Sequence, residues 1–472
     1  MAHGLLGHRE PRFPRTESTT VPTTGPSRSR RLAVVCLALA SCIAFGSVAA
    51  ASPDPDTSVP LDVPAAGEIL TDHTVGALRD GRFATPQEIW DGLVGVDSFF
   101  DEPVLRGDEK PGTLLRSEPF DVQFAGVMPA RLDAWKLMYV TENVKGGLDI
   151  ATAVMMVPED DRGDATRPVI AYQEANDSVG ANCHPSSQWT GGVPVEPSGW
   201  SAIGPLTQMW SAGAATVITD VGNDADPAPH GIFAGRYAGM AVLNGVRAAF
   251  EVGAAGVHTG SPVGAFGIAG GGVGAGFAAE YQPHYAPEID LRATVLEAMV
   301  PDQRSFVDYS ADGLGAGFAF ATILGLEAQY PEMRIDEKLT PAGRALADHF
   351  RGSCQIAYFT TPFLPLHTLF TSGTRPADVP EFQAVFADND LGRDNAPTSK
   401  VLVSNCRAND SFLMVVPVAD TAALVERYRA MGTDVTYQAL DCSDAVMVTQ
   451  PYRWLTELYG MHTVDWLIHE VQ

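Results

Sequence analysis

The sequence predicts an α/β protein: a mostly parallel sheet with helices on both faces, interrupted by an inserted helical cap. Two observations carry that expectation. Short apolar, β-branched runs bounded by turn residues alternate with stretches whose apolar residues recur at helical spacing. That rhythm stops over residues 302–385 and resumes near residue 400. Composition agrees: 45% of the 472 residues are hydrophobic and 19% charged, which excludes a disordered or collagenous chain and leaves room for a full-sized core.

Taken in order, residues 135–158 hold two strand-like runs that meet at Val144-Lys145-Gly146-Gly147, a hairpin. Residues 168–172 and 215–219 are short strands. Residues 233–252 carry a helical apolar stripe, with Arg236 and Arg247 off it. Residues 262–268 form the next strand, a small-residue helix follows from about 271 to 280, and 293–299 is a further strand. Within 302–385, residues 342–350 are helical and 358–370 are rich in aromatics and proline. The sheet resumes at 400–403, followed by a helix at 418–431, a strand at 434–439 and a last helix near 452–459. The domain plan is an export signal over 1–51, a lead-in over 52–80, a core of 81–301 with 386–472, and a cap of 302–385.

Arg28, Arg30 and Arg31 precede an apolar run over 32–51, which ends in small residues at Ala49 and Ala51 before Ser52-Pro53-Asp54. A basic segment, an apolar segment and small residues make a cleavable export signal. An uncleaved anchor is the alternative, because the run is near the ~20 residues that span a bilayer. Leu39-Ala40-Ser41-Cys42 also resembles a lipobox, with Cys42 as a possible lipid anchor. The expected destination is therefore secreted or in the cell envelope. The net charge is −26, and −30 without the first 51 residues, which argues against nucleic acid as a partner.

Four cysteines follow the signal: Cys183, Cys354, Cys406 and Cys442. An even number in an exported chain reads as two disulfides, with three possible connectivities. No CxxC or HExxH occurs, so no metal site is expected. Strand order narrows the pairing. Cys406 and Cys442 follow neighbouring parallel strands and lie at one end of the sheet, so Cys406–Cys442 is expected and Cys183–Cys354 by elimination.

Between a predicted strand and a predicted helix stands Gly267-Ile268-Ala269-Gly270-Gly271. In α/β-hydrolases this place holds G-x-S-x-G, a sharp turn that presents a nucleophilic serine and whose glycines remove clashing Cβ atoms. Here the glycines are present and the serine is not. A glycine-rich helix start without chemistry is the plain alternative. Gly270-x-Gly272-x-x-Ala275 also matches a nucleotide-binding loop, but it lacks the acidic residue expected after the next strand.

Three further segments sharpen the reading. They are Phe233-Ala234-Gly235-Arg236-Tyr237-Ala238-Gly239, Ala279-Glu280-Tyr281-Gln282-Pro283-His284-Tyr285-Ala286-Pro287-Glu288, and Tyr172-Gln173-Glu174-Ala175-Asn176-Asp177-Ser178 with Cys183 shortly after. With the elbow, over about residues 115–460, they resemble the secretory lipase family. The resemblance implies an α/β-hydrolase fold with a helical cap. It also implies exported enzymes that cleave triacylglycerols and other esters, with no metal or organic cofactor.

Carried over by position, that family's nucleophile falls on Ala269, and its oxyanion donors on the Gly270 N–H and the Asp177 segment. The triad acid falls on Asp410, after the strand at 400–404. The histidine belongs near Asp441-Cys442-Ser443-Asp444, yet no histidine lies between His367 and His462; Asp444 is the nearest polar residue. A methyl group cannot attack a carbonyl, and a carboxylate does not replace imidazole as the proton relay. The expectation is a protein that binds lipid or acyl ligands under its cap with little or no hydrolysis. The alternative is an active triacylglycerol lipase or carboxylesterase with displaced residues, for which Ser201, Ser261 and Ser310 and His258, His284 and His367 are the weak candidates. Loss of the serine is expected to let the turn relax. The cap is expected over the strand ends that carry Ala269 and Asp177, with Phe359, Phe363, Leu364, Leu366 and Phe370 lining or closing a cleft.

Overall fold

The computed structural model describes residues 97–472 except 125–127, 130, 191–195, 224–230, 232 and 412–413. The expected export signal, the lead-in and Cys42 lie outside the described residues.

Among the described residues five strands come first, and strands alternate with helices from the sixth onward. β1 (Leu114–Pro119) precedes a two-residue pair, β2 (Gln123–Phe124) and β3 (Met128–Pro129). β4 (Leu132–Glu142) and β5 (Leu148–Pro158) form the long hairpin predicted around Lys145. β6 (Val169–Gln173) leads through α1 (Pro185–Trp189) and α2 (Pro197–Ser211) to β7 (Ala215–Thr219). Then come α3 (Gly235–Glu251), β8 (Val263–Ile268), α4 (Gly270–Tyr285) and β9 (Leu291–Glu297).

The cap elements between the sheet strands are α5 (Gln303–Ser310), α6 (Ala316–Glu327), α7 (Ile335–Lys338), α8 (Pro341–Arg351) and α9 (Pro380–Asp388), with short 3-10 turns. β10 (Lys400–Cys406), α10 (Val418–Ala430) and β11 (Val435–Leu440) follow. α11 (Asp444–Thr449), α12 (Pro451–Leu458) and α13 (Val464–Val471) close the chain.

Nine of the described strands form one sheet in the order β1-β4-β5-β7-β6-β8-β9-β10-β11. The run from β7 to β11 is parallel, and β5, β4 and β1 extend it antiparallel. The fold is the mostly parallel α/β sheet read from the sequence. Side chains alternate between its faces, as a period of two requires. Val169 and Ala171 of β6 face α3, α4 and the cap, while Ile170 and Tyr172 face α2 and α13. Tyr172 stacks on Phe266 of β8 at 5.3 Å on that second face. Cap residues Phe320, Phe350 and Phe382 belong to the same apolar cluster as Tyr237 and Phe277, so cap and sheet share one core.

Several elements escape the sequence pattern; the chain ends in α13, not in the helix expected near 452–459. α2 contains Pro205, which reads as a helix breaker because it removes a backbone donor, yet the helix runs through it. β1 is an edge strand whose outer half is exposed, so it lacks a continuous apolar run. α4 also runs five residues past the expected end, through Pro283.

One fastening of the cap lies at the segment after β6. Gln355 donates from Nε2 to the Ala175 carbonyl (2.9 Å) and accepts from the Asp177 N–H (3.0 Å), while its own N–H donates to Ser178 Oγ (2.9 Å). The Tyr358 hydroxyl accepts from the Val179 N–H at 2.8 Å. A disulfide joins Cys183 to Cys354 beside these bonds, with Cα atoms 5.2 Å apart. Cys406 and Cys442 form the second bridge, across β10 and β11. The first bridge closes a sequence separation of 171, so it removes the larger loop entropy from the unfolded chain. Replacing Cys183 and Cys354 together by serine should cost about 2–5 kcal/mol in chemical denaturation. Limited proteolysis should then cut the cap before the sheet.

Candidate functional site

The turn between β8 and α4 is made by one residue. Ala269 sits at φ 51°, ψ −123°, donates its N–H to the Glu297 carbonyl (3.0 Å) and accepts from the Gly272 N–H (3.0 Å). Crowding explains the glycines around it. A Cβ on Gly267 would lie 2.6 Å from the Gly271 carbonyl oxygen, and one on Gly271 would lie 2.2 Å from the Glu174 carbonyl oxygen. The expected relaxation does not occur. A non-glycine residue at this φ carries strain on the order of 1–3 kcal/mol, and it is present here without a serine to serve. The cause is the close approach of α4 to the end of β6, which dictates the backbone path whatever side chain Ala269 carries.

Asp177 faces this turn from the segment after β6. A Cβ on Gly270 would come within 2.0 Å of Asp177 Oδ1, so the carboxyl lies directly on the first turn of α4. Burial pushes its pKa up to about 7, with the Gly270 N–H pulling the other way. The positive end of α4, where an oxyanion would be stabilised, is thus met by the chain's own acid. A phosphate at this helix start would meet the same carboxyl.

Behind Asp177 lie three more buried carboxyls that the sequence reading missed. Burial raises Glu174 to about 7, although it accepts from Trp189 Nε1 at 2.7 Å. Glu196, which caps α2 through the Ser198 N–H, is raised to about 8 by burial and by the neighbouring Glu174 and Asp177. Asp220 is raised by burial against bonds from the Ser186 N–H and from the Ser186 and Thr152 hydroxyls. No motif marks these acids. Their one sequence signal is position, since Glu174 and Asp220 each stand immediately after a parallel strand.

The space beside the elbow is small. A cavity of about 20 Å³ lies between Glu174, His184, Asp220, Val221 and Gly270. That is near the volume one water centre needs, not an acyl chain. The expected aromatic cleft is not formed. Leu366 and Phe370 are buried, Phe370 against Phe382 of the cap, and Leu364 is half-buried, whereas Phe359 and Phe363 are 49% and 62% exposed; none lines this cavity. The Gln355 and Cys354 fastenings draw the cap onto the 175–180 segment and leave no gap there.

The remaining triad positions are apart from this pocket. Asp410 is exposed in the loop after β10, and Asp444 is exposed as the first residue of α11. Ser201, Ser261 and Ser310 each donate to a backbone carbonyl rather than to a histidine. His258 bonds Thr166, and His284 is exposed against Tyr281.

One Ser–His contact does stand out among the described residues: Ser404 Oγ lies 3.3 Å from His462 Nε2. Ser404 pairs in register with Glu297, whose carboxyl accepts from the Thr463 hydroxyl at 3.1 Å. Burial raises Glu297 to about 8 and lowers His462. Ser404 is fully buried, so this group lacks substrate access. Residues 58 apart in sequence give no local signal of it. No group of three or more His, Cys, Asp or Glu among the described residues is arranged to hold a metal ion.

The architecture is that of an α/β-hydrolase. Candida antarctica lipase A superposes with a TM-score of 0.65 at 19% identity, covering 77% of this chain and 86% of that one. A rice cell wall degrading esterase from Xanthomonas oryzae gives 0.61 at 18% identity, over 77% of this chain and all of that one. The secretory lipase family model matches residues 206–459, and the chain belongs to that family. A Mycobacterium tuberculosis protein named "probable inactive lipase" is 28% identical over 394 residues, 78% of this chain and 83% of that one. A secreted triacylglycerol lipase of Malassezia globosa is 26% identical over 355 residues, 72% of each chain.

The buried acids imply a pH dependence. Their ordinary values are 3.8 to 4.5, and in the folded chain Glu174 and Asp177 titrate near 7 and Glu196 and Glu297 near 8. Between those limits the native state holds protons that the unfolded chain has released, so stability falls as pH rises through that window. Tm should be higher at pH 5 than at pH 8. Glu196→Gln keeps the acceptor for Ser198, so it should leave Tm at pH 5 nearly unchanged. At pH 8 it should raise Tm, by about 2–4 °C per kcal/mol relieved.

Proposed function

We propose that this chain is an exported member of the secretory lipase family that does not hydrolyse esters by the family's mechanism, and that it binds lipid or acyl ligands beneath its cap. The observation that carries the reading is Ala269: it holds the strained geometry of a nucleophile elbow with a methyl group in place of the hydroxyl. No imidazole stands among residues 441–444, and the helix start faces Asp177 rather than an open oxyanion site. The secreted lipases among its relatives and the basic-apolar segment at residues 28–51 support export. With only about 20 Å³ open beside the elbow, an acyl chain enters when the cap lifts from the 175–180 segment. In this reading Asp410 is the candidate for the acid's place, and Asp444 is the polar residue nearest the histidine's place, where it supplies no imidazole.

A second reading, hydrolysis by displaced residues, has the Ser404–His462 contact in its favour. Full burial of Ser404 stands against it.

A fluorophosphonate probe with peptide mapping separates the two. The expected outcome is no labelled serine and p-nitrophenyl ester turnover far below about 1 s⁻¹, an ordinary enzyme rate. Ala269→Ser alone should recover little, because triad members act as a unit. Long-chain fatty acid binding should persist in wild type and in Ala269→Ser. A labelled Ser404 peptide, with activity lost in Ser404→Ala, would establish the displaced site instead.

A further inference from the structure

A second cavity, larger than the one beside the elbow, lies elsewhere among the described residues. A space of about 300 Å³ opens between α3, the C-terminal half of α4 and the segment leaving α9. Its α4 lining lies seven to fifteen residues from Gly270, about 10–23 Å at 1.5 Å per residue, and it shares no lining residue with the elbow cavity. Its volume falls at the lower end of the range for small-molecule sites.

Its charge is unbalanced. Glu280, Asp388, Asp390 and Asp394 line it, against Arg236 as the one basic side chain apart from an exposed histidine, His284. Arg236 is already engaged: NH1 pairs with Asp388 at 2.8 Å and Nε donates to the Tyr281 hydroxyl at 2.7 Å. Glu280 is 2% exposed, and its Oε1 accepts from the Gly392 N–H (2.6 Å) and the Tyr428 hydroxyl (2.7 Å). Its second oxygen receives no hydrogen bond among the described residues. Asp390 Oδ1 is buried with no hydrogen-bond partner among the described residues. Arg427 is near enough to lower both acids but forms an ion pair with neither, donating instead to the Leu391 carbonyl. Burial therefore holds Glu280 and Asp390 each up to about 7.

The walls supply the other half of the chemistry. Tyr281, Tyr285 and Phe277 present aromatic rings to the space, and Tyr285 already carries the Arg247 guanidinium 5.2 Å from its centroid. Asp388 and Asp394 already face Arg236 and Arg393, but Glu280 and Asp390 form no ion pair among the described residues, and beside aromatic faces they favour a positively charged, weakly hydrated group. A metal ion is disfavoured, since the described acids are not arranged as ligands. We propose that this cavity binds a small organic ammonium ion, its charge between Glu280 and Asp390 and its hydrocarbon body against Tyr281 and Phe277.

Isothermal titration of the full chain with benzyltrimethylammonium chloride tests this, with benzyl alcohol as the neutral probe and calcium chloride as the metal probe. The expected result is saturable one-to-one binding of the ammonium alone. It should weaken at least tenfold in Glu280→Gln/Asp390→Asn, in which the introduced amide oxygen still offers an acceptor to the Gly392 N–H and the Tyr428 hydroxyl. Asp394→Asn, at a side chain 77% exposed and safe for folding, should weaken it about threefold. Absence of saturable binding, equal binding of benzyl alcohol, binding of calcium instead, or affinity unchanged in these variants would overturn the proposal. Fatty acid binding measured on the same samples reports the elbow and cap separately, so either reading fails without the other.

Discussion

The structure turns on a single steric constraint, the contact of the β8–α4 turn with the end of β6. Gly271 packs so close to the Gln173 and Glu174 carbonyls that no side chain fits, and Gly267 packs equally close to α4 itself. With those contacts in place, the residue between strand and helix must take a positive φ. Ala269 does so without any hydroxyl to position. The elbow in this chain is therefore a packing solution of the sheet and helix, and its catalytic use in other α/β-hydrolases is a separate property.

The second organising feature is the number of carboxyls removed from water. Glu174, Asp177, Glu196 and Asp220 gather at the carboxyl ends of β6 and β7, and Glu297 at that of β9. Hydrogen bonds from Trp189, Ser186, Thr152 and Thr463 offset part of their desolvation, and the rest is expressed as raised pKa values. Neutral carboxylic acids can donate as well as accept, so such a group remains satisfied at acidic pH in a way that ionised acids would not. The cap depends on this arrangement, because Gln355 bonds the same segment that carries Glu174 and Asp177.

Much of this was legible beforehand. The β4–β5 hairpin, the central strands and α3 follow from apolar period and turn residues, because each is a local pattern buried on one or both faces. The replaced nucleophile followed from one residue in a glycine frame. What was not legible depends on distant approach. The aromatic cap residues read as a cleft lining, yet Leu366 and Phe370 are buried in the core that cap and sheet share, and Phe359 and Phe363 face solvent. A cluster of aromatics in sequence carries no information about which of two apolar surfaces it will choose. α2 was hidden by Pro205, whose missing donor is tolerated once the helix packs Leu206 and Met209 against the sheet.

The sequence by itself determined the alternation of strands and helices, the glycine frame around Ala269, the missing imidazole and the excess of acid. These are properties of residue type and local spacing, which no packing can alter. Only the tertiary structure decided that Ala269 keeps a strained turn, that Asp177 lies over the start of α4, and that Ser404, Glu297 and His462 meet in a buried group. It also decided that the space beside Glu280 is about 300 Å³ and the space beside the elbow only about 20 Å³. The reason is the same in each case: burial and close approach are set by strand register and helix packing among segments far apart in the chain.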